Sequence, residues 1–330
     1  MKLPKLIHVT CKDKGDITNP VWIDCLKRYR EMYSPEYEIR VHDNSDVYAT
    51  VETHFPQYLE KIKKITVGAV LADVFRYLIL YLEGGIYSDL DCEPLRHVGA
   101  LLDSEYRYFH GDSDRDNAFF VYADPSKMVN KKWDFCSNVC DNSAFARDRA
   151  ANRMPRSPHS PCLLSGHLRE FSEPTAMKCL GHELGADIDR ASVILCYEFH
   201  EAWINNAHFL NDARCCYKKV GVCQWFMMAE PKQDLFLKMF MHCMENIDRL
   251  AELTPTSDDF HYTVLSTCGP LAFTKMAVDA AAAAAAATNT NTNIVFLPSD
   301  FFCCGSFNNA VPQTKNSFIK HHFTGSWRQR

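Results

Sequence analysis

A chain of 330 residues, 47% hydrophobic, 23% charged and 12% aromatic, has the make-up of an ordinary globular protein and can bury a sizeable core. Its formal net charge of −5 argues against a nucleic-acid partner held by counterion release, which needs a concentrated basic surface, so a small-molecule site is the first expectation. The opening "MKLPKLIHVTCKDKGD" turns polar too soon for a secretory leader, and no window approaches the roughly 18 apolar residues of a membrane span. A soluble, cytoplasmic protein with no membrane span is therefore expected. The 15 cysteines are odd in number and lack the paired Cys-x-x-Cys spacing of a zinc site, so they read as reduced thiols in core positions.

In chain order, "KLIHVT" is a short apolar run of the buried-strand kind, closed by the polar "CKDKGDIT". Asn19 and Pro20 then read as the cap and first position of a helix with Trp22, Cys25, Leu26, Tyr29 and Met32 on one face. "YEIRVH" is a second strand, and "DNSD" after it is expected to be a turn. Between Thr66 and Leu82 the apolar residues Val70, Leu71, Val74, Leu78, Tyr81 and Leu82 recur at helical spacing, and Glu83-Gly84-Gly85 supplies the stop. "IYSDLD" follows as a strand, with further strands expected at "YRYFHG", "NAFFVYA", "SVILC" and "QWFMMAE". Helices are expected near 161–171 and 232–250 and from "GPLAFTKMAVDA" onward, and 125–160 reads as a long loop or small insertion. The tract at 280–293, alanines followed by Thr-Asn repeats, is a low-complexity insertion before the strand "IVFLP". Strand, helix and strand within the first 45 residues open an α/β fold.

The chemistry concentrates in "ADVFRYLILYLEGGIYSDLD". Asp89 and Asp91, two residues apart on one strand, are expected to face the same way, and both stay ionised only with a cation beside them. An oxygen-rich site of this kind suits Mn²⁺ or Mg²⁺ shared with substrate phosphates. A bare Asp-x-Asp reads just as readily as a solvated strand end or a turn. Asp73 and Arg76, however, share one face of the preceding helix, which the glycine stop returns toward the strand's carboxyl edge, where ligands bind in open α/β sheets.

With these residues in view, the stretch resembles the signature of the glycosyltransferases with the Asp-x-Asp sugar-binding region, the Och1-like family 32 group. Its pattern is matched at Ala72, Asp73, Arg76, Tyr77, Leu80, Gly84, Gly85, Tyr87, Asp89 and Asp91. The opening "LPKLIHVTCK" is similar to the family's first strand, with Cys11 where a Trp is typical. "STCGPLAF" is similar to its Thr-Gly-Pro segment, with Cys268 interposed, and "HHFTGSW" to its closing His-x-x-x-Ser-Trp.

The resemblance implies a GT-A-like nucleotide-sugar-binding sandwich of α/β class, with a mixed, mainly parallel central sheet flanked by helices. It would fill residues 1–330 as one catalytic domain. Residues 1–120 would bind the donor, and 121–330 would form the acceptor side and a C-terminal lid. The implied activity is metal-dependent, retaining transfer of a hexose or N-acetylhexosamine from a UDP- or GDP-sugar to a glycan or other hydroxyl acceptor. Asp73, Arg76, Asp89 and Asp91 are its catalytic candidates, and Asp89, Asp91, His321 and His322 its candidates for the Mn²⁺ or Mg²⁺ ion. His8, Thr10, Tyr87, Leu90, Ser326 and Trp327 are its candidates for holding the donor. A start directly at the first strand resembles bacterial, viral or other cytosolic members. The rival class is a silent nucleotide-sugar-binding protein on the same fold.

Overall fold

In the computed structural model the described residues are 1–102, 188, 190–198, 221–250, 253, 258–286, 293–297, 299–305, 313–314 and 316–324. The strands expected at "YRYFHG" and "NAFFVYA", the loop at 125–160, the helix at 161–171 and the Thr-Asn repeat up to Thr292 lie outside them.

The first strand, β1, is Leu6–Thr10, and helix α1 follows at Pro20–Tyr33. The Asn19 side chain accepts the Val21 amide, so the cap and the proline act as their positions imply. Cys25, Leu26, Tyr29 and Tyr33 are its buried face. Strand β2 is Glu38–His42, and the next four residues start a helix instead of making a turn. Asp43 caps α2 (Asn44–His54), accepting the Ser45 and Asp46 amides while Asp46 accepts the amide of Asp43. Such a reciprocal box satisfies helix-end donors with the same residue types that favour turns.

After a short α3 (Leu59–Lys63) comes α4, Gly68–Glu83, whose buried residues include Asp73 and Arg76. Gly84 and Gly85 then take φ of 67° and 90°, where side chains are disfavoured. A Cβ at Gly84 would stand 2.6 Å from the Pro231 nitrogen, and one at Gly85 2.7 Å from the Leu6 carbonyl oxygen. Only glycines let α4 turn back so tightly into β3, Gly85–Ser88.

The remaining described strands are β4 (Cys92–Pro94), β5 (Val193–Glu198), β6 (Gly221–Val222), β7 (Phe226–Ala229), β8 (Ile294–Leu297) and β9 (Ile319–His321). The helices are α5 (Asp234–Asn246), α6 (Asp258–Thr267), α7 (Pro270–Ala286) and α8 (Ser299–Phe302), so the alanine tract extends α7. The sheet runs β2-β1-β3-β7-β5-β6, with β8 also paired to β5. β2, β1, β3, β5 and β8 run one way and β7 and β6 the other, which makes a mixed, mainly parallel sheet.

Both faces of this sheet are covered, and side chains alternate between them. Val193, Leu195, Met227, Ala229, Ile294 and Phe296 pack into the core under α4, α5 and α7. Ile7, Val9, Ile194, Cys196, Phe226, Met228, Val295 and Leu297 face the core under α1 and α8. Two buried faces explain the near-continuous apolar strands of the sequence. Cys25, Cys92, Cys223, Cys243 and Cys268 fill core positions, as their scatter implied. Among the described residues no helix is long and apolar enough to cross a membrane.

β1 lies between β2 and β3 and is parallel to both, and the helices that lead into these neighbours cover opposite faces of the sheet, α1 before β2 and α4 before β3. Ligands bind at the carboxyl ends of strands at such a switch point. Thr10 and Ser88 mark these ends here.

Candidate functional site

Strand β3 stops at Ser88, and Asp89-Leu90-Asp91 forms a turn, not a strand. The Asp89 amide donates to the Trp225 carbonyl at 2.8 Å, and the Cys92 amide closes the turn on the Asp89 carbonyl at 3.1 Å. The expected common face of the two aspartates is lost, because the turn sends them to different partners.

Asp89 belongs to a pole centred on Arg76. Arg76 Nη2 donates to Asp89 Oδ1 at 2.9 Å and Nη1 to Asp73 Oδ1 at 2.8 Å, so one guanidinium joins both carboxylates. Tyr87 lies under it, the guanidinium carbon 4.9 Å from the ring centre, and its hydroxyl donates to the same Asp89 oxygen at 2.9 Å. With that proton committed, Thr10 is the donor in its 2.9 Å contact with the Tyr87 oxygen. Asp89 Oδ2 takes no protein partner among the described residues. Burial pushes the Asp73 carboxyl up to about 7, against the pull of Arg76, and pushes Asp89 upward as well.

Asp91 belongs to a second pole, made with the returning C-terminal segment. β9 pairs antiparallel with β4, setting Cys92 opposite His321. His321 Nε2 lies 3.0 Å from Asp91 Oδ1, and the Thr324 amide and hydroxyl both donate to Asp91 Oδ2 at 2.9 Å. Burial would raise the Asp91 carboxyl, but the bonds from His321 and Thr324 outweigh it and hold the group well below the usual carboxylate range. The imidazole stacks on Trp225 at 4.7 Å, while Phe323, at φ 47°, tilts over it at 3.8 Å. A bulky residue in that left-handed region is an outlier of the kind that gathers at functional sites.

This second pole fits a divalent ion. Asp91 Oδ1 and His321 Nε2, hydrogen-bonded to each other at 3.0 Å, are near enough to share one ion once the imidazole gives up that proton. The carboxylate oxygen suits Mg²⁺ or Mn²⁺, while the imidazole also suits the later transition ions. Cys92 is close enough to join the same group, but it is fully buried, its thiol is pushed up by burial, and it points to the Trp225 carbonyl.

Other expected residues lie elsewhere. His322 turns to Glu93 Oε2 at 2.8 Å, because neighbours on extended chain face opposite ways, so it does not share the Asp91 pole. Leu90 packs into the core under α1, leaving its backbone alone at the turn. Ser326 and Trp327 lie outside the described residues.

His8 is fully buried and offers a ligand no free nitrogen. Its Nε2 donates to the Gly84 carbonyl at 3.1 Å, so its Nδ1 accepts from His42 Nε2 at 3.0 Å. A proton on His8 Nδ1 would face the His42 N–H. Burial accordingly holds His8 down to about 3 and His42 to about 4. With folded values below the ordinary 6.5, the unfolded chain takes up the protons first. The stability from this pair is complete above about pH 6.5 and is lost as pH falls toward 4. His8 alone is expected to contribute a slope of up to about 1.4 kcal/mol per pH unit over that window. Denaturant melts from pH 7 to pH 4.5 should show it, with a flatter slope for His8→Gln; parallel slopes would mean that the pair is not held neutral.

Gln224, Trp225 and Thr324 carry no mark of a site role in the sequence. Gln224 Nε2 donates to Asp73 Oδ1 at 3.1 Å, and the Trp22 indole approaches Thr324 Oγ1 at 3.3 Å. Their one signal was proximity in sequence to strands and to the His321 segment.

The described residues thus form an α/β sheet that carries an arginine-bridged carboxylate pair and a carboxylate–imidazole pair at its switch point. Residues 20–108 match the family described as glycosyltransferase sugar-binding region containing DXD motif. The chain is 34% identical over 110 residues to an initiation-specific alpha-1,6-mannosyltransferase of Schizosaccharomyces pombe, 32% of this chain and 27% of that protein. It is 33% identical over 103 residues to inositol phosphoceramide mannosyltransferase 3 of the same organism, 30% of this chain and 27% of that protein. The matched segment thus spans about a quarter of each relative. Among solved structures, the PaToxG glycosyltransferase aligns with 84% of this chain and 70% of its own at a TM-score of 0.38 and 12% identity. The catalytic domain of alpha-toxin from Clostridium novyi aligns with 99% and 80% at 0.40 and 10%. Likenesses this distant carry no inference.

Proposed function

We propose that the protein is a metal-dependent, retaining glycosyltransferase that moves a hexose or N-acetylhexosamine from a UDP- or GDP-sugar to a glycan or other hydroxyl acceptor. Both matched relatives are mannosyltransferases by name, which favours mannose as the sugar. The observation that carries this reading is the pairing of two poles on one turn, Arg76 with Asp73 and Asp89, and Asp91 with His321.

Asp73 is proposed to accept hydrogen bonds from sugar hydroxyls, and Asp89 from sugar or ribose hydroxyls through its open oxygen. Arg76 holds both carboxylates in place and sets positive charge beside the diphosphate. Thr10 and Tyr87 fix Asp89. Asp91 and His321 would hold Mn²⁺ or Mg²⁺, which neutralises the departing diphosphate without a proton transfer. Ser326 and Trp327, which follow Thr324 in the chain, are proposed to close over the donor. In the retaining step, the acceptor oxygen bonds to the anomeric carbon on the face from which the diphosphate leaves. The bond to the diphosphate breaks with its electron pair, and the diphosphate takes the acceptor's proton.

The test is incubation with Mn²⁺ and a panel of UDP- and GDP-sugars, with and without a free sugar acceptor, measuring nucleotide and sugar release. Metal-dependent release from one or a few donors is expected. Binding of a donor with no release would turn the reading toward a silent nucleotide-sugar-binding protein.

A further inference from the structure

We infer that Gln224, which lies between β6 and β7 and far outside the matched segment, is a positioning residue that sets the carboxylate plane of Asp73. The inference rests on the proposal of glycosyl transfer. Gln224 is buried, and each end of its amide has one assignment. Asp73 Oδ1 already accepts from Arg76 Nη1, so it must accept from Gln224 as well, which places Nε2 toward it at 3.1 Å. Oε1 then accepts the Tyr77 hydroxyl at 2.8 Å, and that hydroxyl also lies 2.9 Å from the Cys268 carbonyl. The Cys268 thiol faces the other Asp73 oxygen at 3.7 Å.

Charge neutralisation does not need this arrangement, because Arg76 supplies it from the same helix three residues on. The amide adds direction. Asp73 Oδ1 is held from two sides, by Arg76 on α4 and by Gln224 on the β6–β7 link, so its carboxylate is oriented before a ligand arrives. Preorganisation of this kind is what a hydroxyl acceptor requires. The next residue extends the effect. The Trp225 carbonyl takes the Asp89 amide at 2.8 Å, and its indole supports His321. One dipeptide on the sheet thereby fixes both poles.

Displacement of a reacting group by about 1 Å costs up to about a hundredfold in rate. Gln224→Met, of similar volume but without the amide, is therefore expected to lower kcat by about tenfold to a hundredfold. The Mn²⁺ concentration for half-activation should stay within about threefold, since the metal pole is untouched, and the rise in KM for the donor should be smaller than the fall in kcat, since the Asp73 contact to the sugar is misaligned and not removed. Acting through Asp73, the change should add nothing to Asp73→Asn, so the double variant should be no slower than Asp73→Asn alone. Tyr77→Phe, which frees Gln224 Oε1, gives the same non-additivity with a smaller loss, and decides the matter if Gln224→Met does not fold. An active wild type whose double variants are slower by the product of the single effects would overturn the role of Gln224 alone. A wild type that releases no sugar from any donor would overturn glycosyl transfer and this inference with it.

Discussion

Asp91→Asn is expected to lower transfer by at least about a hundredfold. A metal ion supplies several kcal/mol to a departing diphosphate, and each 1.4 kcal/mol or so is a factor of ten in rate. The substitution removes the negative charge and leaves one acceptor oxygen, which can serve the two Thr324 donors only by turning the NH₂ toward His321. The C-terminal segment should loosen, but β9 stays paired to β4 and Phe323 stays packed on Trp225. A large fall in metal-activated turnover with a small change in melting is the expected pattern. Thr324→Val, which removes only the hydroxyl donor, should cost far less. An Asp91→Asn variant keeping more than about a tenth of wild-type turnover at saturating Mn²⁺ would show that the ion is not held at this pole.

Arg76→Met is expected to be the most destabilising change at the site. The guanidinium is almost completely buried and is the shared partner of two carboxylates, with side-chain exposures of 9% for Asp73 and 27% for Asp89. Removing one member of a buried ion cluster costs about 3–5 kcal/mol, because the remaining charges lose their compensation. Asp73 already stands near neutrality, so it can take up a proton and limit the loss. The cost should therefore be nearer 3 than 5 kcal/mol and should rise as pH is raised above 7. Arg76→Lys keeps the charge but cannot fork to both acids, and should recover only part of the stability. Denaturant melts of the three proteins decide this, and an Arg76→Met melt matching wild type would mean that the arginine does not balance the pair.

How far the sequence spoke for this fold depended on the range of each interaction. The Asn19-Pro20 cap, the apolar face of α4 and the Gly84-Gly85 return were legible because each is fixed by neighbours within a few residues. Asp73 and Arg76 were readable together for the same reason, three positions apart on one helix. "DNSD" misled because the residues that favour a turn also cap a helix, and only the reciprocal bonds of Asp43 and Asp46 decide between them. The run "IYSDLD" looked like one strand, but the Asp89 carbonyl closes a turn with Cys92 that no alternation pattern reveals. Gln224, Trp225 and Thr324 stayed silent because their partners are brought to them by sheet pairing between segments far apart in the chain. β7 on β3 and β9 on β4 do this, and nothing local to these residues announces it. His321 and His322 were equivalent as a sequence and became distinct only when the extended chain sent one to Asp91 and the other to Glu93.

The most direct measurement is titration calorimetry of GDP and UDP into the protein, in Mn²⁺ and then in EDTA. A diphosphate held through an ion at Asp91 and His321 should bind in Mn²⁺, lose that affinity in EDTA, and recover it when Mn²⁺ is restored, with Asp91→Asn behaving like the EDTA sample throughout. Equal affinity with and without the metal would contradict a metal-held nucleotide diphosphate at this site.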